Sequence, residues 1–321
     1  MQEKFRPQNH AVPRWSLAPI HGITDLAWAI TVLTNYPCWD RAFLEFLRIP
    51  STPFSSHIIS KTFNPPWLAT FPQAEKVFTK ISLQLLAAPH SQAIDFVPLL
   101  KDVPFNWIDL NLGCSTGMVK KHGGGAALLQ DLATTQKIIH TLRQAWPHTF
   151  SLKIRPGIND LQLLPAILHL AAEEGVDVIT VHGRLVRDNF TVAAKTEYIK
   201  LAAELSPIPI IANGDIQNIQ DGQNILSSTH AQGVMLGRAG VGRPWLIQEE
   251  INHQATNAST YLTYTNVLTS AWAQAQLTDA QILARLKAIS HWWPQLSPVQ
   301  HAQLLHQTQL AKFIATLAAI T

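Results

Sequence analysis

Cysteine and charge are both scarce in this chain. Two cysteines, Cys38 and Cys114, in 321 residues provide no disulfide framework, which points to a reducing compartment. Charged residues make up 14% of the chain, well below the usual share, so the 14 histidines and many Gln, Asn, Ser and Thr side chains carry part of the solubility. No run approaches the roughly 18 uncharged apolar residues that a membrane helix needs. The polar first fourteen residues, with Pro7 and Pro13, have no apolar stretch of the signal-peptide kind. Together these absences point to a cytosolic protein with no membrane partner. No Gly-x-Gly-x-x-Gly opens the chain, which weighs against a dinucleotide-binding open sheet. No His/Cys spacing suits a metal centre. The net charge of +3 is compatible with an anionic partner without demanding one.

What is present is a series of short apolar runs with helix-length segments between them: Ser16–Pro19, Ala42–Phe46, Ile81–Ala87, Trp107–Leu112, Phe150–Arg155, Val178–His182, Ile208–Ala212 and Gly233–Leu236. Several are apolar on both faces, as parallel strands covered by helices should be. The second run suits a helix equally well. Amphipathic stretches at Leu161–Glu174, Lys195–Leu205 and Gln217–Ser227 read as crossovers. This arithmetic predicts an α/β fold, a (β/α)8 TIM barrel over residues 15–244, with a doubly wound open sheet as the alternative. After Trp245 glycine disappears and no strand pattern remains. Helices are expected at Tyr261–Ala275, Asp279–Trp293 and Pro298–Ala319, with Asp279 and Ser297 at N-cap positions and Pro298 at a first helical position. Residues 245–321 thus read as a small all-helical domain and residues 1–14 as an N-terminal extension.

Barrel sites are assembled from the carboxyl ends of the strands. Collected in order, these ends offer Ala18-Pro19-Ile20-His21-Gly22, Gln84, Asn111 with Cys114, Lys153 with Arg155, His182-Gly183-Arg184, Asn213-Gly214-Asp215 and Gly237-Arg238. Each has an ordinary structural explanation: Cys114 as a buried thiol, His182 as a core imidazole, Asn213-Gly214 as a turn. Their convergence on one rim favours a shared site. Gly214, Gly237 and Arg238 suit the phosphate site that barrels build after strands seven and eight. Lys153 and His182 lie where they can donate to a ring that becomes anionic on reduction, and Gln84 where it can meet an amide-like edge, so a flavin is the cofactor these residues favour. Lys120, Lys121, Lys137 and Arg143, against Asp131 alone, leave the segment Gly117–Arg143 basic; Lys120-Lys121-His122 suits either a phosphate backbone or solvent.

Taken together, these residues resemble the tRNA-dihydrouridine synthases, and most closely their bacterial C-type subfamily. Ala18-Pro19-Ile20-x-Gly22 is similar to the family's A-P-M-x-G, Glu45-Phe46-Leu47-Arg48 to E-F-V-R and Gln84-Leu85-Leu86 to Q-L-L. Asp109-Leu110-Asn111-x-Gly113-Cys114 matches the motif holding the catalytic cysteine. Gly123-Gly124-Gly125-Ala126 resembles the C-type continuation, and Ala284-Arg285-Leu286-Lys287 the A-R-I-K element that helps to hold tRNA. The resemblance covers about residues 15 to 295. It implies an enzyme in which FMN, reduced by NADPH or NADH, passes a hydride to C6 of a tRNA uridine, at position 16 of the D-loop, while Cys114 supplies the C5 proton. An ordinary thiol, with a pKa near 8.5, is mostly protonated at neutral pH and suits a general acid.

The resemblance further implies that Ala18, Pro19, Ile20, Gln84, Lys153, His182, Asn213, Gly214, Asp215, Gly237 and Arg238 hold the cofactor. Arg48, Asn111, Arg155, Arg184, Arg285 and Lys287 then serve the substrate, with tRNA as partner and a monomer as the simplest state. Three positions depart from the pattern: Ser115 where the family has Pro, which predicts a looser turn after the cysteine; Ala239 where Gly is usual; and Trp292 and Trp293 lying later than the usual tail tryptophan. Two rival readings are a flavin barrel acting on a free small molecule and a non-catalytic tRNA-binding relative.

Overall fold

The structure, a computed structural model, describes residues 12–52, 59, 62–188, 191–253, 257 and 259–321, apart from the side chains of residues 94, 101, 102, 118 and 120. Most of the N-terminal extension and the Lys120 side chain therefore lie outside the described residues.

Among the described residues nine parallel strands form: β1 (Trp15–Leu17), β2 (Arg41–Phe43), β3 (Leu47–Arg48), β4 (Ile81–Leu86), β5 (Trp107–Leu112), β6 (Thr149–Ile154), β7 (Val178–His182), β8 (Ile210–Asn213) and β9 (Gly233–Leu236). Eight of them close in the order β1-β2-β4-β5-β6-β7-β8-β9, and β9 returns to β1 through Trp15↔Val234 and Leu17↔Leu236. The fold is a (β/α)8 barrel, and each expected run holds a strand. The ambiguous second run is a strand with a break. β2 pairs with Ile81 and Ser82 of β4, leaves the sheet near Glu45, and resumes as β3 against Leu85 and Leu86. At the break the Glu45 N–H donates to Thr24 O at 2.9 Å, holding the loop that follows β1.

Alternation along the pleat sorts the residues. Leu83, Leu85, Ile108, Leu110, Leu152, Ile154, Ile179 and Val181 face outward into the core shared with the helices. Ala18, Phe43, Trp107, Val178, Ile211 and Met235 form a separate apolar plug inside the barrel. Apart from Leu86, the other inward positions of β4 to β8 are polar: Ser82, Gln84, Asp109, Asn111, Thr149, Ser151, Lys153, Thr180, His182 and Asn213. Those nearest the carboxyl ends reach the mouth.

The main helices are α1 (Leu26–Asn35), α2 (Leu132–Ala145), α3 (Leu164–Glu173), α4 (Thr196–Leu205), α5 (Ile219–Thr229), α6 (Arg238–Gly242), α7 (Leu246–Asn252), α8 (Ser259–Gln274), α9 (Asp279–Ser290), α10 (Pro298–His306) and α11 (Leu310–Ile320). The cap of α9 is Thr278 rather than Asp279. Thr278 is extended and forms a reciprocal capping box with Gln281, leaving Asp279 in the first turn. Ser297 caps α10 in the same way with Gln300, and Pro298 opens that helix as expected. The helix expected over Pro298–Ala319 is two helices, because Gln307 and Gln309 are extended between them. The Lys287 ammonium lies on Leu305 O at 2.7 Å, where a cation complements the carbonyl end of α10.

Aromatic donors fasten the tail to the barrel. Trp28 Nε1 donates to Tyr264 Oη at 3.1 Å, and that hydroxyl donates to Val241 O at 2.8 Å. Trp293 Nε1 donates to Gly242 O at 3.0 Å, and Trp39 Nε1 to Pro244 O at 2.6 Å. Asp25 caps α1 through the Trp28 N–H at 2.8 Å, and it also accepts from Trp272 Nε1 at 3.2 Å and pairs with Arg285.

Tyr264→Phe strands a buried indole N–H and a buried carbonyl at this seam. The expected cost is about 1–3 kcal/mol, seen in thermal denaturation as one transition lowered by several degrees. An unchanged midpoint would mean that the hydroxyl carries no part of the joint.

Candidate active site

Four cations converge on the mouth from β6, β7 and β9. The Lys153 ammonium donates to Asn213 Oδ1 at 3.0 Å, and Asn213 Nδ2 donates to Met235 O at 2.7 Å, so one amide ties β6, β8 and β9 together. Burial pushes Lys153 down to about 8, against the opposing pull of Asp109. The Arg155 Nε donates to Gly113 O at 3.1 Å and its Nη1 to Leu185 O at 2.6 Å, which fastens the cysteine loop to the loop after β7. Arg184 is buried; it donates to Val192 O and pairs with Asp215 at 2.5 Å. Arg238 meets the other oxygen of the same carboxylate at 3.0 Å. Burial alone would raise the Asp215 carboxyl, but the Ala194 N–H and the two guanidiniums together hold it below its ordinary value. Asp215, with Asp109 near Lys153 and Asp188 near Arg155, offsets these four cations only in part, which leaves the mouth positive. Burial first, then Lys153, Arg155, Arg184 and Arg238, drive His182 down to about 2, so its imidazole is neutral across the physiological range.

The backbone here is close-packed at one glycine and open at another. Gly214 has φ +121°, and a Cβ on it would lie 2.8 Å from the Ala194 Cβ. A Cβ on Gly237 would meet only Ala18, at 3.9 Å. Ala18 closes β1 onto β9 through its N–H to Leu236 O at 2.8 Å. Pro19 and Ile20 follow, half-buried, and Ile20 is held in its turn by Thr24 Oγ1 at 2.9 Å.

Across the mouth sits Cys114, partly exposed, with Sγ 3.5 Å from Thr116 Oγ1. Its thiol is within electrostatic reach of Lys153 and Arg155. Asn111 Oδ1 accepts the N–H groups of Gly113 and Cys114 at 3.0 and 2.9 Å, and Cys114 O accepts the Ala126 N–H at 2.9 Å. The glycine triplet makes that second contact possible. Gly125 has φ +58°, and a Cβ there would sit 2.7 Å from Cys114 O; a Cβ on Gly124 would sit 2.8 Å from Ala87 O. The turn expected to be loose for want of proline is therefore held from both sides.

Gln84 and Asn111 do not point freely at a ligand. Gln84 Nε2 donates to Asp109 Oδ2 at 2.7 Å, and Asn111 Nδ2 donates to Gln84 Oε1 at 2.8 Å. Asp109 is fully buried, and burial pushes it up to about 6 although Ser151 and Gln84 both donate to it.

Arg48 lies on β3, half-buried at the rim. Beside it is a group that the sequence reading left without a role. Glu45 Oε2 accepts the Gly22 N–H at 2.6 Å and lies 3.0 Å from His21 Nδ1, and the His21 ring stacks on Phe46 at 4.9 Å. Only the Glu45-Phe46 motif signalled it. The two tail cations expected to meet tRNA lie away from these strand ends. Arg285 is spent on Asp25 and stacks over Trp272 at 5.1 Å, and Lys287 is spent on Leu305. Both charges thus meet partners within the chain, a carboxylate and a helix end.

The family described as dihydrouridine synthase (Dus) matches residues 16–288. The tRNA-dihydrouridine(16) synthase of Neisseria meningitidis serogroup B is 33% identical over 242 residues, 73% of this chain and 69% of that protein. A probable tRNA-dihydrouridine synthase of Rickettsia bellii is 33% identical over 176 residues, 54% of each chain. The chain spans about half the length of the Rickettsia relatives it matches. Among solved structures, histamine dehydrogenase from Rhizobium sp. 4-9 superposes with a TM-score of 0.56 at 12% identity, over 78% of this chain and 47% of that one. A 2-naphthoyl-CoA reductase gives 0.58 at 10%, over 79% and 53%. That likeness is one of fold.

The neutrality of His182 has a measurable consequence. Its folded value lies below the unfolded value of 6.5, so the unfolded chain binds the extra proton and stability falls as pH drops below about 6.5. In His182→Gln that loss is removed. Between pH 6 and 5 the wild type should lose close to one proton's worth more stability than the variant, about 1.4 kcal/mol per pH unit, in urea denaturation. Asp109 is present in both proteins and cancels from the comparison. Equal slopes would show that His182 titrates normally.

Proposed function

Since the chain belongs to the dihydrouridine synthase family, we propose that it reduces uridine in tRNA to 5,6-dihydrouridine, with FMN held at the carboxyl rim of the barrel and Cys114 as proton donor. The observation that carries this reading is the arrangement of the mouth: a positive wall around a neutral imidazole, with a thiol opposite.

The residues present fit an anionic flavin nucleotide. Arg238, with the N–H groups at Gly214 and at the start of α6, suits its phosphate. The Lys153 ammonium, held by Asn213 in a site that disfavours its charge, gains from a neighbouring ring that becomes negative. Neutral His182 donates a hydrogen bond without adding charge. When bound and reduced by NADPH, the flavin supplies the hydride for C6 of the uracil. The chain's own contribution is at C5: the Cys114 thiol gives up its proton there, and Lys153 and Arg155 are near enough to stabilise the thiolate left behind before solvent reprotonates it. Asn111 holds the Cys114 backbone while this happens.

A tRNA uridine must leave its stack to enter the mouth, at a cost on the order of a few kcal/mol. Phosphate contacts offset this. Arg48, Arg155 and Arg184 line or support the entrance, and Lys121 and Lys137 follow the cysteine loop. Arg285 and Lys287 support this surface indirectly, by holding the tail in place. Position 16 is the target proposed, on the C-type glycine motif after Cys114 and on two relatives named for that position. A monomer suffices for this reaction.

Cys114→Ala should bind flavin and oxidise NADPH at the wild-type rate, while dihydrouridine formation on unmodified tRNA falls by about 10²-fold or more. Free uridine should not turn over with either protein. Undiminished tRNA reduction by the variant would remove the thiol from the chemistry, and turnover of free uridine would favour a small-molecule substrate.

A further inference from the structure

We propose that Asp109 is a positioning residue that fixes the orientation of the Cys114 turn through a directional hydrogen-bond relay, Asp109–Gln84–Asn111, in which the carboxylate dictates which way both amides face. The proposal rests on the reading of Cys114 as proton donor only for its catalytic consequence; the relay itself is independent of it.

Both ends of this relay have fixed polarity. At the mouth, the N–H groups of Gly113 and Cys114 can only donate, so Asn111 must present its oxygen to them, as it does at 3.0 and 2.9 Å. Its NH2 then faces Gln84, which must answer with its own oxygen, at 2.8 Å. The Gln84 NH2 is thereby turned toward Asp109 at 2.7 Å, where only an acceptor fits. Behind it, Trp107 Nε1 donates to Ser151 Oγ at 2.8 Å, so the Ser151 hydroxyl directs its own hydrogen to the second Asp109 oxygen at 2.5 Å. Asp109, Ser151 and Gln84 are at most 1% exposed and Asn111 is 8% exposed, so water is poorly placed to correct a mismatch. An acceptor-only group inside the barrel is what makes one amide orientation the satisfied one.

The rule that follows is one carboxylate among positions 109, 84 and 111. Gln84→Glu or Asn111→Asp alone gives two carboxylates, and above the pH at which either takes up a proton two acceptors must face each other somewhere along the relay. Adding Asp109→Asn moves the carboxylate instead of adding one. In Gln84→Glu with Asp109→Asn, the new amide at position 109 donates to the new carboxylate at position 84. That carboxylate accepts in turn from Asn111, which keeps its oxygen on Cys114. In Asn111→Asp with Asp109→Asn, the Gln84 amide reverses, donating to the carboxylate at position 111 and accepting from the amide at position 109. Asp109→Asn alone is the mild case: the new amide keeps its oxygen toward Gln84, and only the Ser151 hydrogen is stranded.

The test is a pair of rescue cycles on the purified full chain, read by melting temperature and by hydrogen exchange of the Gly113 and Cys114 amides, neither of which requires flavin or tRNA. Each two-carboxylate single variant should melt about 5 °C or more below wild type, and these amides should exchange about tenfold faster as their local opening becomes easier. Each double variant should recover at least half of both changes despite carrying one substitution more. Double variants no better than the singles in both cycles would overturn the relay. Should a single variant be insoluble, soluble recovery of its double supports the proposal, and insolubility of both doubles overturns it. With flavin loaded and reduced, reoxidation by tRNA should slow in Asn111→Asp and recover in its double. A wild type that reduces no tRNA would refute the proposed function while leaving the melting and exchange comparison intact.

Discussion

The structure depends on the alternation of a closed parallel barrel. Every second residue of every strand points into an interior with little water, so any polar residue placed there must find its partner on a neighbouring strand. Here an apolar plug occupies part of that interior, and Gln84, Asp109, Asn111, Ser151, Lys153 and Asn213 occupy much of the remainder as linked pairs. Buried charge is a poor source of stability, because desolvation offsets most of the attraction and apolar replacements are often neutral or better. Asp109 and Lys153 show that strain directly: burial moves each toward its uncharged form. A barrel retaining such groups gains orientation rather than stability, since a satisfied polar network admits few alternative arrangements.

Orientation is also what distinguishes the two walls of the mouth. On the cationic wall, Asp215 is a shared acceptor. It draws Arg184 and Arg238 together and takes the Ala194 N–H, with its own backbone in the left-handed region at φ +50°. Without it, two guanidiniums would repel across a confined space. With it, the wall stays positive but its geometry is set. Burial first and then that surplus charge keep His182 neutral, so one arrangement sets a positive wall around an uncharged imidazole. On the thiol wall the fixing agents are backbone groups and amides, which leave the sulfur polar surroundings without a salt bridge.

Strand positions, the rim residues and the helical tail were legible because each leaves a local mark: an apolar run, a glycine, a cap. Pairings across large sequence separations leave none. Nothing in Asp25 or Arg285 announces that they meet across 260 positions, so Arg285 reads as a surface cation until the tail is seen docked on α1. Asp109 reads as one more letter of the cysteine motif until Gln84 is found beside it, 25 residues away. The break in the second strand was visible only as ambiguity between strand and helix, because the pattern of Ala42–Phe46 averages a strand, a bend and a side chain committed to another loop. The split of the last helix was missed for a different reason: Gln307-Thr308-Gln309 contains no Gly or Pro, and the contact at the stop, Lys287 on Leu305 O, comes from another helix.

Ser115 illustrates how a departure from a family motif should be weighed. Proline at that position would restrict φ and so reduce the freedom of the unfolded chain, a benefit of about 0.4–1 kcal/mol where the native conformation suits it. That is a contribution to stability, not to placement. Placement of the thiol is decided by the bonds flanking it: two N–H groups on Asn111 Oδ1, Ala126 on the Cys114 carbonyl, and Arg155 on Gly113 O. Each such bond contributes about 0.5–1.5 kcal/mol net. Together they exceed what the pyrrolidine ring would add, and they act on the folded geometry itself. Serine at 115 therefore forgoes at most a modest gain in stability and leaves the cysteine turn fixed by these bonds.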